Sequence, residues 1–224
     1  MHYRLRPHLS YCVIDGRAIF LDLDGDRYFR LDDCLEAAFL AYVRAKEVDK
    51  AGIDALIEHE ILIPGPTSDH RSHRLSLPTR SSLELTSGSG PIRMTAILKV
   101  FMIVRHTRRQ LRTQPLKEVL DDLVRYRDGC RRNSVPSGSH DARILDIAGR
   151  FARSRLYVPF ETSASCLLDS VALTKYLAGH DLSANIVFGV TSDPFSAHCW
   201  VQCGDLVLND TVGNATAYTP IRVI

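Results

Sequence analysis

None of the six cysteines forms a CxxC pair, so the chain does not suggest a disulfide scaffold. No apolar run approaches the roughly 18–20 residues needed to span a bilayer. The first residues, Met-His-Tyr-Arg-Leu-Arg-Pro-His, have no apolar core like that of a secretion signal. These absences point to a reducing cytoplasm, which suits an enzyme that needs a free thiolate. There is no internal repeat and no long low-complexity tract. A phosphate-binding loop of the GxxxxGKS or GxxxxGKT type is missing, which argues against an intrinsic nucleotide site of that kind. The net charge is only +2, and the basic residues are scattered along helices without aromatic interleaving, so nucleic-acid binding has little support. What remains, at 45% hydrophobic and 24% charged, is the composition of an ordinary soluble globular protein.

Charge divides the chain. Residues 1–64 hold 8 Lys/Arg and 12 Asp/Glu, a net of −4, and residues 65–224 hold 20 and 14, a net of +6. The acidic part ends at Pro64-Gly65-Pro66. The stretch after it is rich in Ser, Thr, Gly, Pro, His and Arg and closes on Ser87-Gly88-Ser89-Gly90-Pro91, a flexible stop. This predicts a front domain over 1–64, a linker over 65–90 and a back domain over 91–224.

The front domain reads as strands first and helices after. Tyr11-Cys12-Val13-Ile14 runs into Asp15-Gly16, a tight-turn signal, and then into Arg17 to Asp22. Asp24-Gly25-Asp26 turns the chain into Arg27 to Leu31, giving a three-strand meander. Asp32 or Asp33 caps a helix carrying Leu35, Ala38, Phe39 and Tyr42. A second helix is predicted over 49–60, with Ile53, Leu56 and Ile57 apolar, and Ile61 to Ile63 as a short closing strand. If the last meander strand lies at a sheet edge, it can accept an extended peptide as an added strand. Spacing alone favours that edge being covered by the rest of the protein.

The back domain is predicted to start with three amphipathic helices, over 93–111, 116–126 and 142–153. The arginines at 105, 108, 109 and 112 read as a solvated face. A helix from Cys166 to Leu177 follows, stopped by Gly179. Strands are then predicted near 184–190, 198–203, 206–208 and 218–223. Helices first and an antiparallel sheet afterwards make the whole chain α+β.

Within this layout Cys166, His198 and Asp210 follow in the order nucleophile, base, acid. Cys166 sits where a small polar stretch gives way to helical spacing. A thiol there ionises more easily, because unpaired N–H groups and the helix dipole favour the thiolate. A histidine in reach can hold its proton and a carboxylate can fix the imidazole tautomer. The other cysteines read as small core residues. Strand alternation turns His198 away from Cys199 and Cys203, which argues against a metal site, and none is expected.

Three motifs, Ser165-Cys166-Leu167, Phe195-Ser196-Ala197-His198-Cys199-Trp200-Val201 and Val207-Leu208-Asn209-Asp210, resemble those of the B proteins of lasso-peptide biosynthesis. These are leader peptidases of the transglutaminase-like superfamily, here in the undivided form. The resemblance implies a papain/transglutaminase-like back domain in which Cys166 is the nucleophile, His198 the base and Asp210 the carboxylate. The front domain is similar to a RiPP recognition element, a small winged-helix module of the PqqD type with a three-stranded sheet. In such modules the leader peptide adds to the third strand and packs on the last helix. That maps onto Tyr28, Phe29, Arg30 and Leu31, and onto Ile53, Leu56 and Ile57.

The activity so implied is hydrolysis of the leader–core amide bond of a precursor peptide. A separate asparagine-synthetase-like macrocyclase then closes the ring. No cofactor is expected on this chain, and any ATP requirement is expected to enter through the cyclase; neither nucleic acid nor membrane is an expected partner. A transglutaminase or acyltransferase, and a non-catalytic leader-binding chaperone, are the alternatives. The third triad member also has two readings. A two-residue turn at Gly204-Asp205 pairs His198 with Thr211 and puts Asn209 on the histidine's face, whereas a bulge or longer turn brings Asp210 there. Cys199 stands where the family often has a small residue such as alanine, with no functional consequence expected.

Overall fold

The computed structural model describes residues 2–45, 48–66, 75–85, 92–131, 140–158 and 166–224. The front part opens with strand β1 (Tyr3–Leu5), followed by the meander β2 (Leu9–Ile14), β3 (Arg17–Asp22) and β4 (Arg27–Phe29). Asp15 and Gly16 have φ of 51° and 80°, the positive values that a two-residue hairpin turn of the primed type requires. Helix α1 (Asp33–Val43) starts where the Asp32 carboxylate accepts from the N–H groups of Cys34 and Leu35. Helix α2 (Lys50–Glu58) is capped in the same way by Asp49 on Gly52. Strand β5 (Leu62–Pro64) then pairs antiparallel with β1. That pairing was not predicted, since three-residue strands show no usable periodicity.

Strand β3 explains how the front part is held. Its run Ala18-Ile19-Phe20-Leu21 is buried on both faces, as an unalternating apolar run predicts. Ala18 and Phe20 pack with Leu35, Phe39 and Leu56 in a front core, where Phe20, Phe39, Phe29 and Tyr11 make a group of ring contacts. Ile19 and Leu21, with Cys12 and Leu23, belong instead to the main core of the back part. The three-stranded sheet therefore lies between its own helices and the back part.

The back part takes in residues ahead of the Ser/Gly stop at which the sequence places its start. Within the expected linker, strand β6 (Arg80–Ser81) and the helical turn α3 (Ser82–Leu85) are built into the back domain; residues 67–74 and 86–90 lie outside the described residues. Helices α4 (Met94–Thr113), α5 (Leu116–Arg131) and α6 (His140–Arg155) surround α7 (Cys166–Ala178), which is buried along most of its length. After α7 come β7 (Asn185–Ser192), β8 (Phe195–Cys203), β9 (Leu206–Val207), the short helix α8 (Val212–Thr216) and β10 (Thr219–Val223). The sheet order is β10-β7-β8-β9-β6, antiparallel except for β6 against β9. Helices precede an antiparallel sheet, so the mixed α+β layout stands.

The two parts meet along a seam. Arg222 on β10 donates to Ser10 Oγ of β2 at 2.9 Å. Arg30, just past β4, donates to Ser192 O at 3.2 Å, and Lys117 of α5 pairs with Asp24 at 2.9 Å. The front sheet thus spans the back sheet from β10 to the β7–β8 hairpin. No helix among the described residues is long and apolar enough to cross a membrane.

Candidate active site

The site forms because β9 is only two residues long. Cys203 pairs with Leu206 and Gln202 with Val207 across the Gly204-Asp205 turn, after which the chain leaves the ladder. Beyond that point the outer edge of β8 needs other partners. The Val201 N–H finds Asn209 Oδ1 at 2.7 Å, and the Cys199 carbonyl accepts from Ser170 Oγ at 3.4 Å. Ser170 lies one turn along α7 from Cys166, so this bond sets the helix N-terminus against the strand edge. Asn209 Nδ2 donates to the same Ser170 hydroxyl at 3.0 Å. Sequence spacing did not pick out Ser170; Asn209, read there as the alternative third triad member, holds the edge of β8 instead.

The released chain then carries Asp210 to His198. Asp210 Oδ2 lies 2.5 Å from His198 Nε2 and also accepts from Asn214 Nδ2 at 2.8 Å, while Oδ1 accepts from Thr211 N at 2.8 Å. Two serines of the β6–α3 segment hold the loop from behind. Ser81 Oγ donates to Asp210 O and Ser82 Oγ to Leu208 O, each at 2.6 Å. The His198 ring is flanked by Tyr218 and Trp200, with centroids 5.1 and 6.1 Å away.

Cys166 is half-buried at the start of α7, near enough to His198 that each shifts the other's pKa. With Nε2 taken by Asp210, Nδ1 is the ring nitrogen left for the thiol. The neighbouring Cys199 does most to favour the thiolate. Burial opposes it, and the His198 ring and the Cys199 backbone N–H add to it, so the Cys166 pKa is lowered to about 4. Cys199, buried and facing that thiolate, is held protonated with its pKa pushed up. His198 is raised to about 10, first by its bond to Asp210, then by its bond to Cys166, against the cost of burial. Burial works to raise the Asp210 carboxyl, yet the bonds from His198, Asn214 and the Thr211 N–H leave it lowered. A thiol of lowered pKa, a histidine of raised pKa and a carboxylate on that histidine are the groups that nucleophilic attack on a carbonyl calls for. The Cys199 thiol itself donates to Ser170 Oγ at 3.8 Å.

A sequence profile of the transglutaminase-like superfamily matches residues 103–223, more than half of the chain and the part that holds all three residues. The chain belongs to the transglutaminase-like superfamily. It is also 40% identical over 47 residues to the microcin J25-processing protein McjB of Escherichia coli, a match spanning 21% of this chain and 23% of that protein. No solved structure matches the chain. Superfamily membership brings with it the fold of cysteine peptidases and acyltransferases.

The residues expected to meet a leader peptide are divided between the two faces of the front sheet. Phe29 stacks on Phe20, 5.2 Å between centroids, and shares the front core with the partly buried Ile53 and Ile57. Leu56 is wholly buried and Leu31 nearly so; both support the fold and present no surface to a peptide. Arg30 is engaged with Ser192 O. Tyr28 turns the other way, onto the main core of the back part. Among the described residues, no strand pairs with the outer edge of β4.

Proposed function

We propose that this protein is a cysteine leader peptidase of lasso-peptide biosynthesis. The observation that carries the reading is the 2.5 Å bond between His198 and Asp210, with Cys166 opening α7 near enough to share in the shift of the His198 pKa; the partial likeness to a microcin-processing protein supports the substrate class. The leader segment adds as a strand to the outer edge of β4, as in RiPP recognition elements. Tethering there raises the effective concentration of the scissile bond at Cys166.

The Cys166 thiolate then attacks the carbonyl carbon. The oxyanion is stabilised by N–H groups of the first turn of α7, and the imidazolium of His198 gives its proton to the departing amine. This leaves a thioester on Cys166 and a core peptide with a free N-terminus. Water, deprotonated by His198, attacks the thioester and releases the leader carboxylate, and the thiolate is restored. Asp210 keeps the ring oriented throughout. The core passes to a separate asparagine-synthetase-like cyclase, which supplies any ATP chemistry.

The test is mass spectrometry of the precursor encoded beside this gene, incubated with the cyclase, ATP and either wild type or Cys166→Ala. A leader-sized fragment with a free carboxylate, seen only with wild type, is the expected result. An intact precursor with wild type would reject the reading, and a new amide in place of the free N-terminus would make the enzyme an acyltransferase.

A further inference from the structure

Tyr28 is a front-domain residue placed at the back-domain site. It packs against the core cluster that contains Cys199, the cluster on which Cys166 and Leu167 also pack. Its ring centroid lies 5.7 Å from that of Phe195, the planes inclined by 60°. Phe195 begins β8 on the same side of the strand as Ala197 and Cys199, and it is 51% exposed. The Arg30–Ser192 bond fixes this arrangement, since it ties the end of β4 to the residue across the hairpin from Phe195. Burial first, and then the Cys166 thiolate, push the Tyr28 phenol up, so the ring stays neutral across the physiological range.

We propose that Tyr28 and Phe195 form an apolar pocket of the catalytic cleft, which takes an apolar side chain next to the carbonyl that Cys166 attacks. Two aromatic surfaces meeting at an angle, one of them half in water, offer van der Waals contact and no charge to a substrate. The pocket rests on the reading of Cys166 as the nucleophile. It also makes the cleft incomplete without the front part, because β4 supplies both a free edge and one wall.

The full-length chain would be treated with N-acetyl-leucyl and N-acetyl-glycyl chloromethyl ketones, and Cys166 alkylation followed by intact mass. The two reagents share a warhead and differ in the side chain that the pocket would hold. Wild type should prefer the leucyl reagent. The leucyl-to-glycyl rate ratio should fall about tenfold in Tyr28→Ala and in the exposed-site variant Phe195→Ala. It should be retained in Tyr28→Phe and in the remote Val13→Ala. An unchanged ratio in Phe195→Ala and Tyr28→Ala, an equal loss with both reagents, or no leucyl preference in wild type would overturn the pocket. Failure of Cys166 to react with either reagent would overturn the nucleophile assignment, and the pocket with it.

Discussion

Asp210 Oδ2 lies 2.5 Å from Nε2 of His198, although the hairpin register places Asn209 on the histidine's face. The two-residue turn is present and Gln202 pairs with Val207, so an unbroken ladder would have offered Asn209. The strand ends at Val207 instead, and Asn209 caps the buried Val201 N–H while Asp210 swings round. Asp210→Asn is therefore expected to cut kcat by about two to three orders of magnitude with little change in Tm, because the tautomer is lost and the packing is not. Asn209→Ala should do the reverse: about 1–3 kcal/mol of stability is lost with the Val201 and Ser170 bonds, while measurable turnover is kept. Steady-state kinetics and thermal unfolding of the pair separate the roles.

The shifts of Cys166 and His198 set the pH dependence. His198, raised to about 10 from 6.5, contributes stability that is fully present below 6.5 and lost as pH rises through 10. Cys166, lowered to about 4 from 9.0, contributes stability that is fully present above 9 and lost as pH falls through 4. Iodoacetamide alkylation of Cys166 should therefore be fast at pH 6 and decline only toward pH 4. In His198→Ala the acid limb should move up by about 2 pH units, as the cation beside the thiolate is gone.

Much of this arrangement is legible in the sequence, and the parts that are not have physical reasons. Cys166 opens a helix because small polar residues give way to Leu167, Leu168 and Val171. The Asp15-Gly16 and Gly204-Asp205 turns follow from dipeptides that accept positive φ. What spacing could not supply was long-range. Strand β6 is two polar-flanked residues whose place depends on Arg80 clasping Asp205 and on serine hydroxyls seeking carbonyls more than 120 residues away. The choice of Asp210 over Asn209 depends on where β9 stops, which local propensity does not encode. Cys199 looked like a plain core residue because its importance lies in what α7 brings against it.

Gly189 sits opposite His198 across the β7–β8 pairing. A Cβ there would lie 2.8 Å from Trp200 Cζ3 and 2.8 Å from Tyr218 Cβ, the two aromatics that flank the histidine ring. Gly189→Ala should therefore lose about 1–3 kcal/mol through overpacking. It should also displace the ring, so that kcat falls while Cys166 stays alkylatable. Unaltered unfolding and kinetics would mean that the aromatics can retreat without moving His198.

Ser81 and Ser82 test whether the stretch between the two parts is a tether or a structural support. Each hydroxyl donates to a carbonyl of the loop that delivers Asp210, at 2.6 Å, and Ser81 also accepts from the Leu83 N–H at 3.1 Å. Ser82 is 1% exposed, so Ser82→Ala leaves the Leu208 carbonyl without this donor and should cost about 1–3 kcal/mol. Ser81→Ala acts nearer the chemistry. By freeing the Asp210 backbone it should lower kcat about tenfold at nearly unchanged KM, since small misplacements of an orienting group are amplified in the rate. Ser81→Thr, which keeps the hydroxyl, should restore most of it. If both alanine variants matched wild type in Tm and kcat, residues 80–85 would be a passive connection, and Asp210 would owe its place to Asn214 and Thr211 alone.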